Sequence, residues 1–439
     1  MRSLWRLMSR VLRFGIFLSL YIILRVASFT PSRRLRGLSD KTIAELARKR
    51  YSSKNGDEND PFPMKGRIAV VTGAAGGIGG ELSKTIFRLG GTVVALDRNV
   101  AGLEELQRSL QEDCFEDESK STSKNSNNGD KDSKDQVGNS NIEDVQIRFV
   151  KIITNQEDLS SVACAANLIL SRFDRIDLLV NNAGISYDAN RSKSAVRVSA
   201  HQKDLAFTVN YLSHFLLTEK LIPILSKKGR IVHVTSTYHW KVDGSDLVPS
   251  SEDGVPIAYH SDPEKQRPGH LGRSYANTKL AQIWHSRSVA SRLPEGCSSV
   301  CACPTWAATG IAGEKGRAFL GEYAFPIADC GPGITSAVNA MLRTDDELGD
   351  ALNDGKSFVA NTTLVQYKLT SLLLTNNFVQ NTLGWRENLA DMCAAFLLVF
   401  QKFAHEDFII QKTSPESSND KEKREKFYQW SKHEVKNWL

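Results

Sequence analysis

The chain should fold as an α/β protein, a doubly wound, mostly parallel sheet with helices on both faces. Three features predict this. Between Arg67 and Asn99 an apolar β-rich run, a glycine cluster, an apolar repeat at helical spacing and a second apolar run follow one another, the order of a strand–turn–helix–strand unit. Further on, "SSVCACP" reads as another short apolar strand. Finally, 439 residues, 41% hydrophobic and 24% charged, suffice for a large core without help from disulfides.

In chain order, residues 1–60 form a basic hydrophobic leader and linker, 61–360 the α/β domain and 361–439 a helical C-terminal extension. The first 50 residues hold twelve Lys/Arg against Asp40 and Glu45, a balance of +10. The total of +6 therefore leaves the remainder at −4. A weakly acidic body is not that of a nucleic-acid binder, whose basic residues cluster on the folded domain. In the leader the uncharged run Phe14–Leu24 is too short to cross a bilayer, which takes about 20 residues. Extended to Val11–Phe29, it reaches that length if Arg13 and Arg25 snorkel to the interfaces. A membrane anchor, as in the endoplasmic reticulum or a similar compartment, is the first reading. A mitochondrial targeting segment is the alternative, since eight arginines and no acid precede Asp40. A cleaved secretory signal fits least well with scattered free cysteines.

Residues 116–141 are polar and low in complexity, which predicts a disordered surface loop. Residues 241–272, rich in Gly, Pro, Asp and Ser, form a second loop. Residues 361–418 carry apolar runs that predict one or two further helices, packed on the core or laid on a membrane surface. The seven cysteines are odd in number and scattered, against a disulfide framework. Cys297, Cys301 and Cys303 stand close together, but no His or second Cys pair is at ligand spacing, so no metal site is expected.

The chemistry begins at Thr72–Gly79, "TGAAGGIG". Gly73, Gly76, Gly77 and Gly79 stand where a backbone must turn sharply and approach a pyrophosphate, whose charge rests on the following helix N-terminus. Ile78, Leu82, Ile86 and Leu89 give that helix its apolar face. Asp97 lies 18 residues after Gly79, at the end of "TVVAL". There a carboxylate accepts the adenosine-ribose hydroxyls and repels a 2′-phosphate, which points to NAD. Arg98 beside it could instead pair with a 2′-phosphate, which keeps NADP as the alternative.

These motifs resemble the short-chain dehydrogenase/reductase family over residues 65–360. "TGAAGGIG" matches its glycine loop, "LLVNNAG" (Leu178–Gly184) its NNAG motif, and "FTVNYLSHFLLT" (Phe207–Thr218) its central helix with Asn210. "RIVHVTS" (Arg230–Ser236) matches the strand before its serine, "YANTK" its Tyr275–Lys279 pair, and "CPTWAATG" its PG motif. Within the family the chain looks most like the retinol-dehydrogenase group, and "KFYQWSKHEV" is similar to that group's closing helix.

The resemblance implies a Rossmann-type fold and an NAD(P)-dependent oxidoreductase acting on the alcohol or carbonyl of an apolar, retinoid-, steroid- or lipid-like substrate. It implies Tyr275 as acid/base, Lys279 lowering the tyrosine pKa and holding the nicotinamide ribose, and Ser236 hydrogen-bonding the substrate oxygen. Asn210 would hold a water that links Lys279 to bulk. Thr72, Gly73, Gly77, Ile78, Gly79, Asp97, Arg98, Asn155, Asn182, Ala183, Gly184, Pro304 and Thr309 would bind the cofactor beside Tyr275 and Lys279. Asn155 stands where the family has an Asp, Thr305 where it has the Gly of the PG motif, and Trp306 and Tyr187 border the substrate side. The long gap from Ser236 to Tyr275 implies an enlarged loop over the substrate mouth. Pairing into a homodimer through the flank of the sheet is also implied. A second pair, Tyr428 and Lys432, has the same spacing but lies in a charged terminal helix, expected at the surface. The competing reading is a cofactor-binding sensor or scaffold without turnover.

The proton chemistry has an independent rationale. Hydride delivery to a ketone builds negative charge on oxygen, and a free tyrosine, titrating near 10, exchanges protons poorly at neutral pH. A lysine one turn away stabilises the phenolate.

Overall fold

The computed structural model describes residues 40–51, 62–122, 144–186, 198–261, 270–304, 330–349, 357–360, 409–412 and 420–439. The leader to residue 39, Tyr187, Thr305, Trp306, Thr309 and the apolar runs of 361–408 lie outside the described residues. Eight strands are present: β1 (Ile68–Thr72), β2 (Thr92–Asp97), β3 (Phe149–Ile153), β4 (Ile176–Asn181), β5 (Leu225–Val234), β6 (Ser298–Cys303), β7 (Ser357–Ala360) and β8 (Ile409–Lys412). They pair in the order β3-β2-β1-β4-β5-β6-β7-β8. All neighbours are parallel except β8, which closes the sheet antiparallel to β7. The sequence reading contains no strand at 409–412, where only helices were expected.

Alternation along the strands sends residues to two cores, because successive strand side chains point to opposite faces. Ala69, Val71, Val93, Ala95, Val180 and Val232 pack on one face against helices α1 (Asp40–Tyr51), α2 (Gly77–Arg88) and, further along the chain, Cys330–Leu342. Val70, Val94, Leu96, Leu179 and Ile231 pack on the other. Their partners include α4 (Leu159–Arg172), the central helix α5 and α6 (His270–Ala290). Helix α5 is built of Leu205–Phe207, a π-turn at Thr208–Leu212 and Ser213–Leu221. Helix α3 (Val100–Thr122) follows β2 and carries Leu103, Leu106 and Leu110 into the first core.

Three boundaries differ from the sequence expectation. Helix α1 falls within the segment assigned to leader and linker, yet Ile43, Ala44, Ala47 and Tyr51 are buried. They form one face at i, i+1, i+4 and i+8, and Tyr51 Oη donates to Asn339 Oδ1 at 2.7 Å. Lys41 pairs with Asp113 of α3 at 2.7 Å. The folded body therefore includes residues 40–51. Helix α3 also continues to Thr122, seven residues into the expected loop, because each added residue propagates one more backbone hydrogen bond. The rest of that loop, to residue 141, lies outside the described residues.

The third difference is the terminal helix α7 (Lys421–Glu434), assigned to the surface. It lies over α5 and α6 with Phe427, Tyr428 and Ser431 buried, and Val435 just beyond it is buried too. Phe427 stacks on Tyr211 at 4.9 Å and meets Trp284 edge-on at 5.8 Å. Tyr428 Oη donates to Glu219 at 2.8 Å, and Tyr211 and Ser431 share a 2.7 Å hydrogen bond. Its charged residues had suggested a surface helix, but they occupy only the outer side. Tyr428 is thus a packing residue, while Lys432 is exposed.

Candidate active site

After β3 the chain returns to place β4 beside β1, on the side away from β2. The crevice beyond the C-terminal ends of β1 and β4 is therefore the switch point at which open α/β sheets take ligands. Thr72 ends β1 there and Asn181 ends β4. The Thr72 hydroxyl accepts the N–H groups of Asn182 at 2.9 Å and Ala183 at 3.0 Å. In return the Asn182 amide donates to the carbonyls of Thr72 at 2.9 Å and Gly73 at 3.4 Å. Two loops that the sequence keeps 110 residues apart are thereby stitched together.

The glycines have separate jobs. Gly73 and Gly77 sit at φ +66° and +56°, a region that costs other residues strain. At Gly79 the constraint is space, since a Cβ there would fall 2.0 Å from the Gly73 carbonyl oxygen. Helix α2 begins with Gly76 as N-cap and has no side-chain cap. Its positive end and first N–H groups thus face the crevice unscreened by a side chain, which suits a pyrophosphate. Asp97 ends β2, with its carboxylate accepting Ala75 N–H and Asn99 N–H, each at 2.9 Å. Arg98 pairs with Glu157 at the surface. Asn155 follows β3 and uses its side-chain oxygen for Glu157 N–H at 3.3 Å. Pro304 follows β6 at the same end of the sheet. The residues present thus fit a dinucleotide.

The four expected catalytic residues converge on this cradle. Asn210 lies in the π-turn of α5, fully buried. Its side chain accepts Ile185 N–H at 2.8 Å and donates to Ile185 O and to Thr278 Oγ1 at 3.0 Å. Ser236 follows β5 and caps a short 3₁₀ turn (Thr237–Lys241). Tyr275 and Lys279 are in α6, which starts five residues ahead of the tyrosine. A Cβ on Gly184 would come within 3.5 Å of Asn210 Oδ1 and 3.7 Å of Lys279 Nζ. Cradle and lysine therefore meet at Gly184.

Lys279 is 2% exposed and donates to Val234 O at 2.9 Å and Gln282 Oε1 at 3.1 Å. Burial brings its pKa down to about 8, against the opposing effect of Cys303 and Cys301. The Tyr275 phenol is pushed well above its ordinary value, first by burial and then by Cys303, while the Ser236 hydroxyl pulls it back by hydrogen bonding. This departs from the expectation of a phenol lowered by its lysine. Two of the three ammonium protons go to Val234 and Gln282, with Nζ 5.4 Å from the Tyr275 ring centroid, so desolvation dominates.

The backbone carbonyl of Asn210 joins the same polar network. It accepts Gln282 Nε2–H at 2.8 Å and faces His214 Nδ1 at 3.0 Å. Burial holds His214 near pKa 3, hence neutral. A carbonyl partner requires the proton on Nδ1, so Nε2 accepts the Thr72 hydroxyl at 2.9 Å. Sequence reasoning missed both His214 and Gln282. The signal was present, one helical turn after Asn210 and one after Lys279, but neither spacing has meaning until α5 and α6 are side by side.

The long loop before α6 carries short 3₁₀ turns at Ser245–Leu247 and Ile257–Tyr259. Asp246 in it accepts from Asn277 at 3.1 Å and pairs with Arg273 at 3.2 Å, so its described part is packed along α6. Among the described residues no group of His, Cys, Asp and Glu is arranged to hold a metal ion. A hollow of about 490 Å³ lined by Asp174, Arg175 and residues 223–228 lies at the opposite, N-terminal ends of β4 and β5.

Fold, cradle and switch point define a Rossmann-type dinucleotide-binding protein. The short chain dehydrogenase profile matches residues 67–137 and 127–243. "Dehydrogenase/reductase SDR family member 7B" of Mus musculus is 31% identical over 175 residues, 39% of this chain and 44% of that protein. "Retinol dehydrogenase 14" of Mus musculus is 26% identical over 256 residues, 56% and 64% of the two chains. Among solved structures, a putative uncharacterized protein from Mycobacterium Paratuberculosis superposes with a TM-score of 0.43 at 19% identity, covering 68% of this chain and 81% of that one. The chain spans about half the length of the curated relatives it matches. Over these residues it is similar to the short-chain dehydrogenases, the retinol dehydrogenases among them.

Proposed function

We propose that the protein is an NAD(P)-dependent oxidoreductase that interconverts an alcohol and a carbonyl on an apolar substrate. The observation that carries this is the meeting of the dinucleotide cradle with Lys279 and Asn210 at Gly184, within one turn of Tyr275. When bound, the nicotinamide supplies the hydride or accepts it. In the reducing direction Tyr275 gives its phenolic proton to the substrate oxygen as the carbon gains the hydride. Ser236 hydrogen-bonds that oxygen, and the Lys279 ammonium stabilises the phenolate left behind. Burial keeps the Tyr275 phenol protonated, the form that gives up its proton when a carbonyl is reduced.

Asp97 supports NAD over NADP. Its carboxylate at the end of β2 repels a 2′-phosphate, and the Arg98 charge is already paired with Glu157. The resemblance to retinol dehydrogenases supports a retinoid-, steroid- or lipid-like substrate. The basic hydrophobic leader supports membrane association, as do the apolar runs of 361–418; no helix among the described residues is long and apolar enough to cross a membrane. Fractionating cells that express the chain with and without residues 1–39 tests that reading.

Calorimetry with NAD, NADH, NADP and NADPH, followed by turnover of all-trans-retinal and decanal, tests the activity. Tyr275→Phe should lower kcat by about 10²–10⁴-fold with cofactor affinity kept. A folded protein that binds no dinucleotide, or whose turnover ignores Tyr275→Phe, overturns the proposal. Binding without turnover on any carbonyl would favour the sensor reading.

A further inference from the structure

Four buried polar residues link the Asn210 carbonyl to the catalytic lysine and to the cradle: Lys279, Gln282, His214 and Thr72, none more than 2% exposed. Gln282 is the hinge of this set. Its Oε1 accepts from Lys279 Nζ at 3.1 Å and its Nε2 donates to Asn210 O at 2.8 Å. One partner only donates and the other only accepts, so a single orientation of the amide satisfies both. A carboxylate or an apolar side chain of this length could not serve both. The second lone pair of the Asn210 carbonyl takes His214 Nδ1–H at 3.0 Å. A carbonyl has two lone pairs, and these two side chains occupy both.

We propose that Gln282 is a positioning residue for the reaction, fixing the place and the charge of Lys279 by clamping its ammonium to the Asn210 carbonyl instead of to solvent. This rests on the reading of Tyr275 and Lys279 as the catalytic pair. The clamp uses one ammonium proton and Val234 O a second, leaving the third for the tyrosine side of the site. Charged and titratable groups around Lys279 are Tyr275 on its own helix, Cys301 and Cys303 on β6 and His214 on α5, with His233 and His285 behind. Burial holds His214 and His285 near 3, lowers His233 well below its ordinary value and lifts Cys301 to about 11. Lys279, at about 8, is therefore the group that titrates in the working range. Removing an acceptor from an ammonium disfavours its charged form and lowers its pKa further.

The test is the pH dependence of kcat/KM for all-trans-retinal or decanal in two variants of the full chain. Gln282→Met keeps length but removes both hydrogen bonds. Its alkaline limb should move down by about one to two pH units, with kcat falling about tenfold or more and cofactor affinity within about threefold. Gln282→Glu keeps the acceptor and adds charge, and its limb should move up. If the limb stays put in whichever variants fold, while kcat and Tm fall together, Gln282 is only structural and the proposal is overturned. Failure of the underlying reading looks different. In that case the wild-type protein has no turnover, or its turnover is indifferent to Tyr275→Phe.

Discussion

Replacing Phe427 with alanine tests whether the terminal helix is part of the folded body. Phe427 is 1% exposed and its ring meets Tyr211, Trp284, Phe207 and Trp430 at centroid distances of 4.9 to 6.2 Å. Burying a phenylalanine of this kind and then truncating it costs about 3–5 kcal/mol, and loss of a stacked pair belongs to the same figure. For a domain of this size about 1 kcal/mol shifts Tm by roughly 2–4 °C, so a fall of about 6–20 °C is expected. Thermal unfolding followed by circular dichroism reads it, with Gln429→Ala and Lys432→Ala on the outer side as controls expected within about 0.5 kcal/mol of wild type. Limited proteolysis should cut 420–439 first in the variant. A Phe427→Ala shift no larger than the controls would refute the docking, and with it the packing role of Tyr428.

Gly79→Ala places a methyl 2.0 Å from the Gly73 carbonyl and 2.6 Å from the Asn182 amide, so dinucleotide affinity should fall by at least about tenfold while the fold loses about 1–3 kcal/mol; calorimetry and thermal unfolding check both. In the wild type, Lys279 must be protonated to act, so kcat/KM for reduction should decline as pH rises through about 8; a limb that begins only near 10 would rule out this assignment. Burial alone would raise the Asp113 carboxyl, but Lys41 and Arg88 outweigh it and hold it below 3.8. Its contribution to docking α1 is therefore present above pH 3.8 and is lost as pH falls through the lower folded-state value. Asp113→Asn should consequently narrow the Tm gap to wild type as the medium is acidified, and a gap independent of pH would contradict this.

Much of the cradle was legible in the sequence because its constraints are local. Gly73, Gly76, Gly77 and Gly79, the strand before them and the apolar spacing of Ile78, Leu82 and Ile86 all fall within one short segment. Asn210, Ser236, Tyr275 and Lys279 came from motif order, and their convergence follows from parallel strands that deliver every loop to the same edge. The failures share a cause. Helices α1 and α7 read as polar because half or more of their residues are charged, and only the partner surface shows which few face inward. Gln282 carries no signature of its own, since it acts on a carbonyl of α5 that only tertiary packing brings near, and His214, one turn after Asn210, gains meaning only once its other nitrogen meets Thr72. The Tyr275 phenol was expected to be lowered because a lysine at i+4 was counted as its neighbour; its ammonium is directed to Val234 and Gln282.

Helix α7 has one more consequence, for assembly. It occupies the groove between α5 and α6 and presents Lys432 and other charged residues outward, so the chain supplies from its own tail the apolar lid that a second subunit would otherwise provide on this flank. Association through that flank would first have to evict Phe427, Tyr428 and Val435, a cost incurred by each copy before any contact is gained. A protein lacking 420–439 would bare Tyr211, Phe215 and Trp284, turning a self-contained flank into an adhesive one.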